Sequence, residues 1–506
     1  MKLFHGKASL RLYCLVLSLY TVVAFHLPFF TYITKNVDGG LKGVLITVGA
    51  FLLLFALDFL LYALLLFAFR FVGKCIISFT LLGDALTLYF INNFDALITD
   101  EMMGNVFNTQ YSEASSFLSW AMLLYVVLLG VLPSIYVFAR KVDYGRFKSF
   151  LAGAGVSLAV TLAVVFGNMT NWPWIDRNAP VIGSLLMPWS YVVNSFRYFA
   201  AEKKKNVKEI PLPDVESVRE GRDICVLIIG ESARRDHYSY YGYPRETNPY
   251  TKDDGMTALV ANAAATYTTA AVKAILEPFP SGELYEILPN YLKRAGAGVI
   301  WRTSNWGEPP VYPDLYYTVS ALKERFPEAD ERYDGILLEG LKDDILSLSQ
   351  DKIFVVLHTY TNHGPSYFTN YPPQFERYTP VCSTVEMSKA THDELMNAYD
   401  NSMIYTDYLI HSVIEILKEL PRNGCVIFLS DHGESLGENN LYMHGVPLAM
   451  APKEQIEIPF LVWTSDPSWK VKPLEEVGSY HVFHSVLRFF GVSSPVFDES
   501  MSVFEP

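Results

Sequence analysis

Long apolar runs fill the first third of this 506-residue chain and limit what it can fold into. A helix needs ~20 mostly apolar residues to cross the hydrocarbon core of a bilayer. Five segments meet or approach that length, at about 12–31, 44–69, 71–90, 120–138 and 150–166. The second and third nearly touch at Arg70 to Lys74, which reads as a tight hairpin. Lys2, Lys7 and Arg11 precede the first run as they would a signal peptide. Phe-Phe-Thr-Tyr follows it instead of a small-residue cleavage site, so it reads as a retained anchor. A wholly soluble enzyme, a disordered chain and a disulfide mini-protein are all excluded.

Lys and Arg in short loops set the orientation of such spans. Lys2, Lys7 and Arg11 lie before the first, Arg70 and Lys74 in the hairpin, and Arg140, Lys141, Arg146 and Lys148 after the fourth. The first outer loop has only Lys35 and Lys42. The stretch 91–119 has no Lys or Arg and carries Asp95, Asp100, Glu101 and Glu113. The N-terminus is therefore expected in the cytoplasm, with everything after residue 167 outside.

Residues 168–215 read as an interfacial connector. Trp172, Trp174, Trp189 and Tyr191 suit a membrane–water boundary, and Pro173, Pro180 and Pro188 divide it into short pieces. Lys203, Lys204, Lys205 and Lys208 make either a solvated linker or a contact for anionic head groups. Asp58 and Asp84 fall inside spans, where charge is expensive; helix–helix hydrogen bonding is the first reading and a proton or ion path the second. Asn105, Thr109 and Glu113 recur every four residues, so a helix would gather them on one face. That face is either simply solvated or aimed at a lipid head group.

From about residue 201 the composition becomes that of a soluble α/β protein. Five β-branched runs, at 224–229, 298–303, 352–357, 424–429 and 459–463, alternate with helical patterns such as 394–420. Continuous apolar strands with intervening helices mean a mainly parallel sheet covered by helices on both faces. Ligands bind such sheets beyond the carboxyl ends of the strands. There the chain places Glu231 and Ser232, then His358 with Asn362 and His363, then Asp431, His432 and Glu434, with His444 shortly after. Two carboxylates and an imidazole suit Zn²⁺, or Mn²⁺ if more oxygens join. The net charge of −13 argues against a nucleic-acid partner. The five cysteines form no Cys-x-x-Cys pair, and neither a disulfide framework nor a cysteine-bound zinc is indicated.

The stretch Ile-Gly-Glu231-Ser-Ala-Arg-Arg-Asp-His237-Tyr-Ser-Tyr-Tyr-Gly-Tyr-Pro-Arg245-Glu-Thr-Asn-Pro resembles the opening motif of the lipid A phosphoethanolamine transferases. These belong to the alkaline phosphatase/sulfatase superfamily and include the mobile colistin-resistance enzymes. Asn362-His363-Gly-Pro, Tyr378-Thr-Pro-Val-Cys382, Asn397-Ala-Tyr-Asp-Asn401 and Ser430-Asp-His-Gly-Glu-Ser-Leu-Gly-Glu-Asn-Asn-Leu-Tyr-Met-His444-Gly resemble later family motifs in the same order. The resemblance covers nearly the whole chain. It implies a five-span helical domain (1–167), the connector (168–215) and a periplasmic alkaline phosphatase-like catalytic domain (216–506), anchored in the bacterial inner membrane and expected as a monomer. It implies polymyxin resistance as the phenotype.

The resemblance also implies one tight zinc, held by Glu231, Asp431, His432 and a nucleophilic threonine. Aligning Ala265-Thr266-Tyr267-Thr268-Thr269-Ala270-Ala271-Val272 on its valine selects Thr268, with Thr269 as the rival, because this window departs from the family pattern at Ala265, Thr269 and Lys273. His363 and His444 resemble family histidines that line the phosphate pocket, take part in catalysis and can bind a second zinc. Asn105, Thr109 and Glu113 match a family loop that holds the ethanolamine head group. A family lysine has no match in Ser304-Asn305-Trp306-Gly307-Glu308-Pro309, so Asn305 is the substitute there. Cys382 lacks the partner the family's disulfides would give it. The implied reaction moves phosphoethanolamine from phosphatidylethanolamine to a lipid A phosphate or related glycolipid through a zinc-activated threonine. The alternatives are a phosphoglycerol transferase of the lipoteichoic acid synthase type and a non-catalytic membrane-anchored metal or lipid sensor.

Overall fold

The computed structural model describes residues 7–37, 40–94, 96–109, 114–115, 117–205, 209–385 and 387–505. The chain divides into two compact units, Met1–Ala200 and Ala201–Pro506.

In the first unit, α1 (Leu10–Phe25) and α2 (Leu27–Asn36) are bent by 61° where one continuous span was expected. Pro28 lies in the first turn of α2, where its missing N–H cannot continue the α1 ladder, and the chain leaves helical geometry at His26. α3 (Leu41–Phe94) counts 54 residues, or ~80 Å at the usual rise, far beyond a bilayer core. It is two helices: Arg70 leaves helical geometry with φ +40° and ψ −96°. A Cβ on Gly73 would lie 2.5 Å from the Leu65 carbonyl oxygen, so the chain reverses at Arg70 and the arms touch, as the sequence suggested. Gly73→Val is therefore expected to cost ~1–3 kcal/mol by forcing the arms apart. A lowered melting temperature of the detergent-solubilised chain would register it. α4 (Trp120–Ala139) and α5 (Phe147–Gly167) are long and apolar enough to cross a membrane. Together with the two α3 arms and the bent pair, they supply the five runs expected from the sequence.

Three basic segments meet at one end of this unit. Ala8 N–H donates to the Lys141 carbonyl (3.0 Å), Lys74 Nζ to the Arg140 carbonyl (2.8 Å) and Arg11 to the Ser149 carbonyl (2.6 Å). The segments grouped by their charge thus meet at one end of the helical unit. The connector forms α6 (Trp172–Ser184) and α7 (Trp189–Lys205) rather than short broken pieces. Trp174 Nε1 donates to the Asn36 carbonyl (3.1 Å) and Asn194 Nδ2 to the Ile98 carbonyl (2.6 Å). The Tyr191 hydroxyl donates to Asp84 Oδ1 at 3.0 Å, the kind of helix–helix bond expected for an intramembrane carboxylate. Asp58 is buried, and neither of its oxygens has a hydrogen bond among the described residues.

The second unit is built on an eight-stranded sheet: β1 (Asp223–Gly230), β2 (Thr257–Asn262), β3 (Gly298–Thr303), β4 (Leu315–Thr318), β5 (Lys352–His358), β6 (Asn423–Ser430), β7 (Glu457–Thr464) and β8 (Val477–Gly478). The spatial order is β8-β2-β7-β6-β1-β5-β3-β4. β6, β1, β5, β3 and β4 are parallel, while β7 runs antiparallel to β6 and to β2. The fifth apolar run is therefore an antiparallel strand, and the short strands β2, β4 and β8 had no clear apolar signal. Cys225, Leu227 and Ile229 of β1 face a core shared with α8 (Thr268–Leu276) and α10 (His481–Phe490). α9 (His392–Lys418), opened by a Thr391–Glu394 capping box, packs against β1 and β6 outside that core. All five cysteines are free.

Candidate metal centre

Strand register decides what meets at the carboxyl edge. Gly230 of β1 pairs with Ser430 of β6, so the next residues, Glu231 and Asp431, emerge side by side. Ile229 pairs with His358 of β5, and His358 with Thr303 of β3, which brings the loops with His363 and Asn305 to the same edge. Glu231, Asp431 and His432 are completely buried, and one ligand atom from each lies within 4.8 Å of the others. His432 Nε2 is 3.2 Å from Asp431 Oδ2 and 3.5 Å from Glu231 Oε1.

Thr268 opens α8 and is also buried. Its Oγ1 lies 3.2 Å from Glu231 Oε2 and 3.4 Å from His432 Nε2. The rival Thr269 packs instead against the 305–307 loop: a Cβ on Gly307 would stand 3.1 Å from the Thr269 hydroxyl. Asn305 gives both amide hydrogens to the protein, to Glu231 Oε2 (2.7 Å) and the Thr359 carbonyl (2.9 Å). It holds a carboxylate in place.

Ser232 and Glu434, with two tyrosines the sequence did not single out, Tyr399 and Tyr367, shape this edge. Ser232 takes a left-handed backbone (φ +51°), its hydroxyl donating to Glu231 Oε1 (2.7 Å) and its N–H to Asp431 Oδ1 (3.1 Å). The Tyr399 hydroxyl of α9 clamps the turn, donating to the Ser232 carbonyl (2.6 Å) and accepting from Arg234 N–H (3.1 Å). Glu434 Oε2 is 2.7 Å from His444 Nδ1, and the Tyr367 hydroxyl donates to Glu434 Oε1. Nothing in spacing alone announces these contacts, because Tyr399 and Tyr367 reach the site from other elements. His237 and Arg245 of the long first motif both bind Asp400 of α9, each at 2.7 Å, and thus join the motif to the helix.

Glu231, His363 and His444 form one further donor group, and His432, Glu434 and His444 another. The His432 and His444 rings lie 4.2 Å apart and those of His363 and His444 5.6 Å apart. In the first unit, Asn105 sits in the helix Asp100–Asn108, and Thr109 caps it by returning its N–H and hydroxyl to the Asn105 carbonyl. Glu113 lies outside the described residues.

Burial pushes the Glu231 carboxyl up, but the imidazoles of His432, His363 and His444 with the Ser232 hydroxyl outweigh it and hold it at about 2. Burial and the Glu231 charge drive Asp431 well above the usual carboxylate range. Burial lowers His432 and His444 to about 4, leaving them as neutral donors at pH 7, and raises Glu434 to about 7. Two carboxylates enclosed this way are costly without a compensating cation. Among the described residues the only basic side chain within ion-pair distance of them is the neutral His432, and Arg234 is taken by Asp236 and Glu438. Asp431 Oδ2 is buried with no hydrogen bond among those residues. An orphaned carboxylate oxygen beside a neutral imidazole and a second carboxylate fits a divalent metal.

The chain also matches known proteins along most of its length. Residues 224–492 match the sulfatase family and residues 54–202 the phosphoethanolamine transferase EptA/EptB family. The phosphoethanolamine transferase EptA of Helicobacter pylori is 34% identical over 96% of this chain and 95% of its own. The phosphatidylethanolamine transferase Mcr-1 of Escherichia coli is 30% identical over 80% of this chain and 81% of its own. The structure superposes on the integral membrane lipooligosaccharide phosphoethanolamine transferase A of Neisseria meningitidis with a TM-score of 0.88, 25% identity and 99% coverage of both chains. The chain therefore belongs to the phosphoethanolamine transferases of the EptA/EptB family, in which apolar N-terminal helices precede an alkaline phosphatase-like domain.

Proposed function

We propose that this enzyme transfers phosphoethanolamine from phosphatidylethanolamine to a lipid A phosphate or related glycolipid, with Thr268 as nucleophile. The observation that carries this reading is the Thr268 hydroxyl, held at the first turn of α8 within 3.4 Å of both Glu231 and His432. A helix N-terminus presents unpaired N–H groups to an arriving phosphate. Zinc held by Glu231, Asp431, His432 and Thr268 would supply Lewis acidity that makes the threonine hydroxyl a competent nucleophile at neutral pH.

Asn305 and Ser232 keep Glu231 oriented, and Tyr399 keeps the turn that carries both. In the first half-reaction the Thr268 hydroxyl gives up its proton to solvent, a Thr268 Oγ–phosphorus bond forms and the phosphorus–oxygen bond to diacylglycerol breaks. The leaving oxygen takes a proton, which we assign to His363, since burial holds His444 neutral and Glu434 engages its Nδ1. His444 then binds a phosphoryl oxygen. In the second half-reaction an acceptor oxygen attacks phosphorus and releases Thr268. Asn105, Thr109 and Glu113 would hold the ethanolamine head group. His363 and His444 with Glu231 offer donors for a second zinc.

The same reading makes residues 1–167 a five-span anchor in the inner membrane, 168–215 an interfacial connector and 216–506 a periplasmic catalytic domain, acting as a monomer. The meeting of the basic segments at one end supports a cytoplasmic side there. Because donor and acceptor are both bilayer lipids, anchoring raises their effective concentration at the site. Expression in a colistin-sensitive bacterium tests the proposal. Mass spectrometry should find lipid A carrying an added phosphoethanolamine, with decreased colistin sensitivity; unmodified lipid A would refute the acceptor assignment.

A further inference from the structure

The loop that follows β3 brings an aromatic side chain to the edge of the candidate metal centre. Gly307, at φ +95°, packs directly on the backbone of Thr269, with a Cβ there only 3.3 Å from Thr269 N and Cα. Asn305, two residues earlier, reaches Glu231. Trp306 is fixed between these anchors, its N–H donating to Asn305 Oδ1 at 2.9 Å. Its half-buried ring stands 5.8 Å from Tyr360 at 42° and 5.6 Å from His363 at 55°. Tyr360 in turn stacks on His363, with centroids 4.7 Å apart and planes 14° apart. The rings thus form an inclined corner, contiguous through His363 and His444 with His432. Glu308, two residues beyond Trp306, accepts from the Tyr316 hydroxyl at Oε1 (2.8 Å). Its Oε2 is buried without a hydrogen bond among the described residues and lies 3.8 Å from His358 Nδ1.

Aromatic rings at the edge of the candidate metal centre suit a small cation, because each can offer it a negative face. A sugar would want one flat, open face. We propose that Trp306 and Tyr360 form an ammonium subsite that recognises the ethanolamine nitrogen of the donor while its phosphorus lies at Thr268. This rests on the transferase reading above and adds a specificity element inside the catalytic domain itself.

Two soluble diesters isolate the effect in the purified full-length enzyme: p-nitrophenyl phosphoethanolamine and its uncharged counterpart, p-nitrophenyl propyl phosphate. Release of p-nitrophenol reports attack at phosphorus without any acceptor. The wild type should favour the ammonium ester in kcat/KM. Trp306→Leu, which keeps apolar bulk but removes the π face, should lose about tenfold of that preference through KM, with kcat little changed. Trp306→Phe should restore most of it. Equal losses on both esters would mean that the ring only packs, and would overturn the inference. So would an unchanged preference in Trp306→Leu, or a wild type indifferent to the ammonium. Lipid A spectra judge the transferase reading independently: modified lipid A with an indifferent wild type sinks the ammonium subsite alone, whereas unmodified lipid A with a retained ammonium preference strikes the acceptor assignment.

Discussion

Thr268→Ala is expected to abolish transfer, with a loss of ~10⁴-fold or more, since removal of a covalent nucleophile leaves only binding and electrostatic assistance. The matching variant Thr269→Ala should retain activity within ~10-fold, because its hydroxyl packs against the Gly307 loop and is not among the contacts to Glu231 and His432. Intact-protein mass spectrometry after incubation with phosphatidylethanolamine gives the sharper readout. Wild type and Thr269→Ala should carry one phosphoethanolamine adduct, and Thr268→Ala none. An adduct on Thr268→Ala would reassign the nucleophile. Loss of structure is not a ready explanation for the deficit. Alanine removes one methyl and one hydroxyl at the first turn of a nine-residue helix whose N-cap uses no side-chain bond, so the melting temperature should barely move.

Metal removal should have the second-largest effect. Chelation is expected to lower activity by ~10³-fold, the equivalent of several kcal/mol of lost charge stabilisation, and zinc should restore it. Asp431→Asn keeps the side chain's size and its acceptor for Ser232 and His432 N–H, yet replaces the oxygen that has no hydrogen bond among the described residues with an amide nitrogen, which cannot bind a metal. It should therefore purify folded with much less bound metal than the wild type, as read by elemental analysis. Full activity and metal content in Asp431→Asn would remove Asp431 from the ligand set.

Much of the fold was legible in the sequence. The apolar runs specify helices because a bilayer tolerates only hydrogen-bonded backbone, and the Arg70 hairpin comes from two runs with no room for a loop. All five main strands appear near their expected positions because each is a continuous apolar run, buried on both faces. The direction of β7 was not legible, because a buried antiparallel strand and a buried parallel one have the same composition. The bend at His26 was marked only by Pro28 within an otherwise unbroken run.

Within the site the division is similar. Glu231, Asp431, His432, His363 and His444 could be named from strand ends and motifs, since a parallel sheet gathers the residues just past its strands at one edge. The motif alignment selected Thr268 but left Thr269 as a rival: adjacent residues of a helix differ in direction by about 100°, and only the placed helix shows which hydroxyl lies by Glu231 and His432. The same holds for Asn305, whose amide serves Glu231, and for Trp306, which lies on a loop of no regular pattern. The sequence by itself determined the apolar unit, the parallel core and the donor set, because periodicity and strand ends are local properties. Only the tertiary structure decided which hydroxyl, which aromatic faces and which second carboxylate converge there, because those pairings join residues tens to hundreds of positions apart through packing that no local pattern encodes.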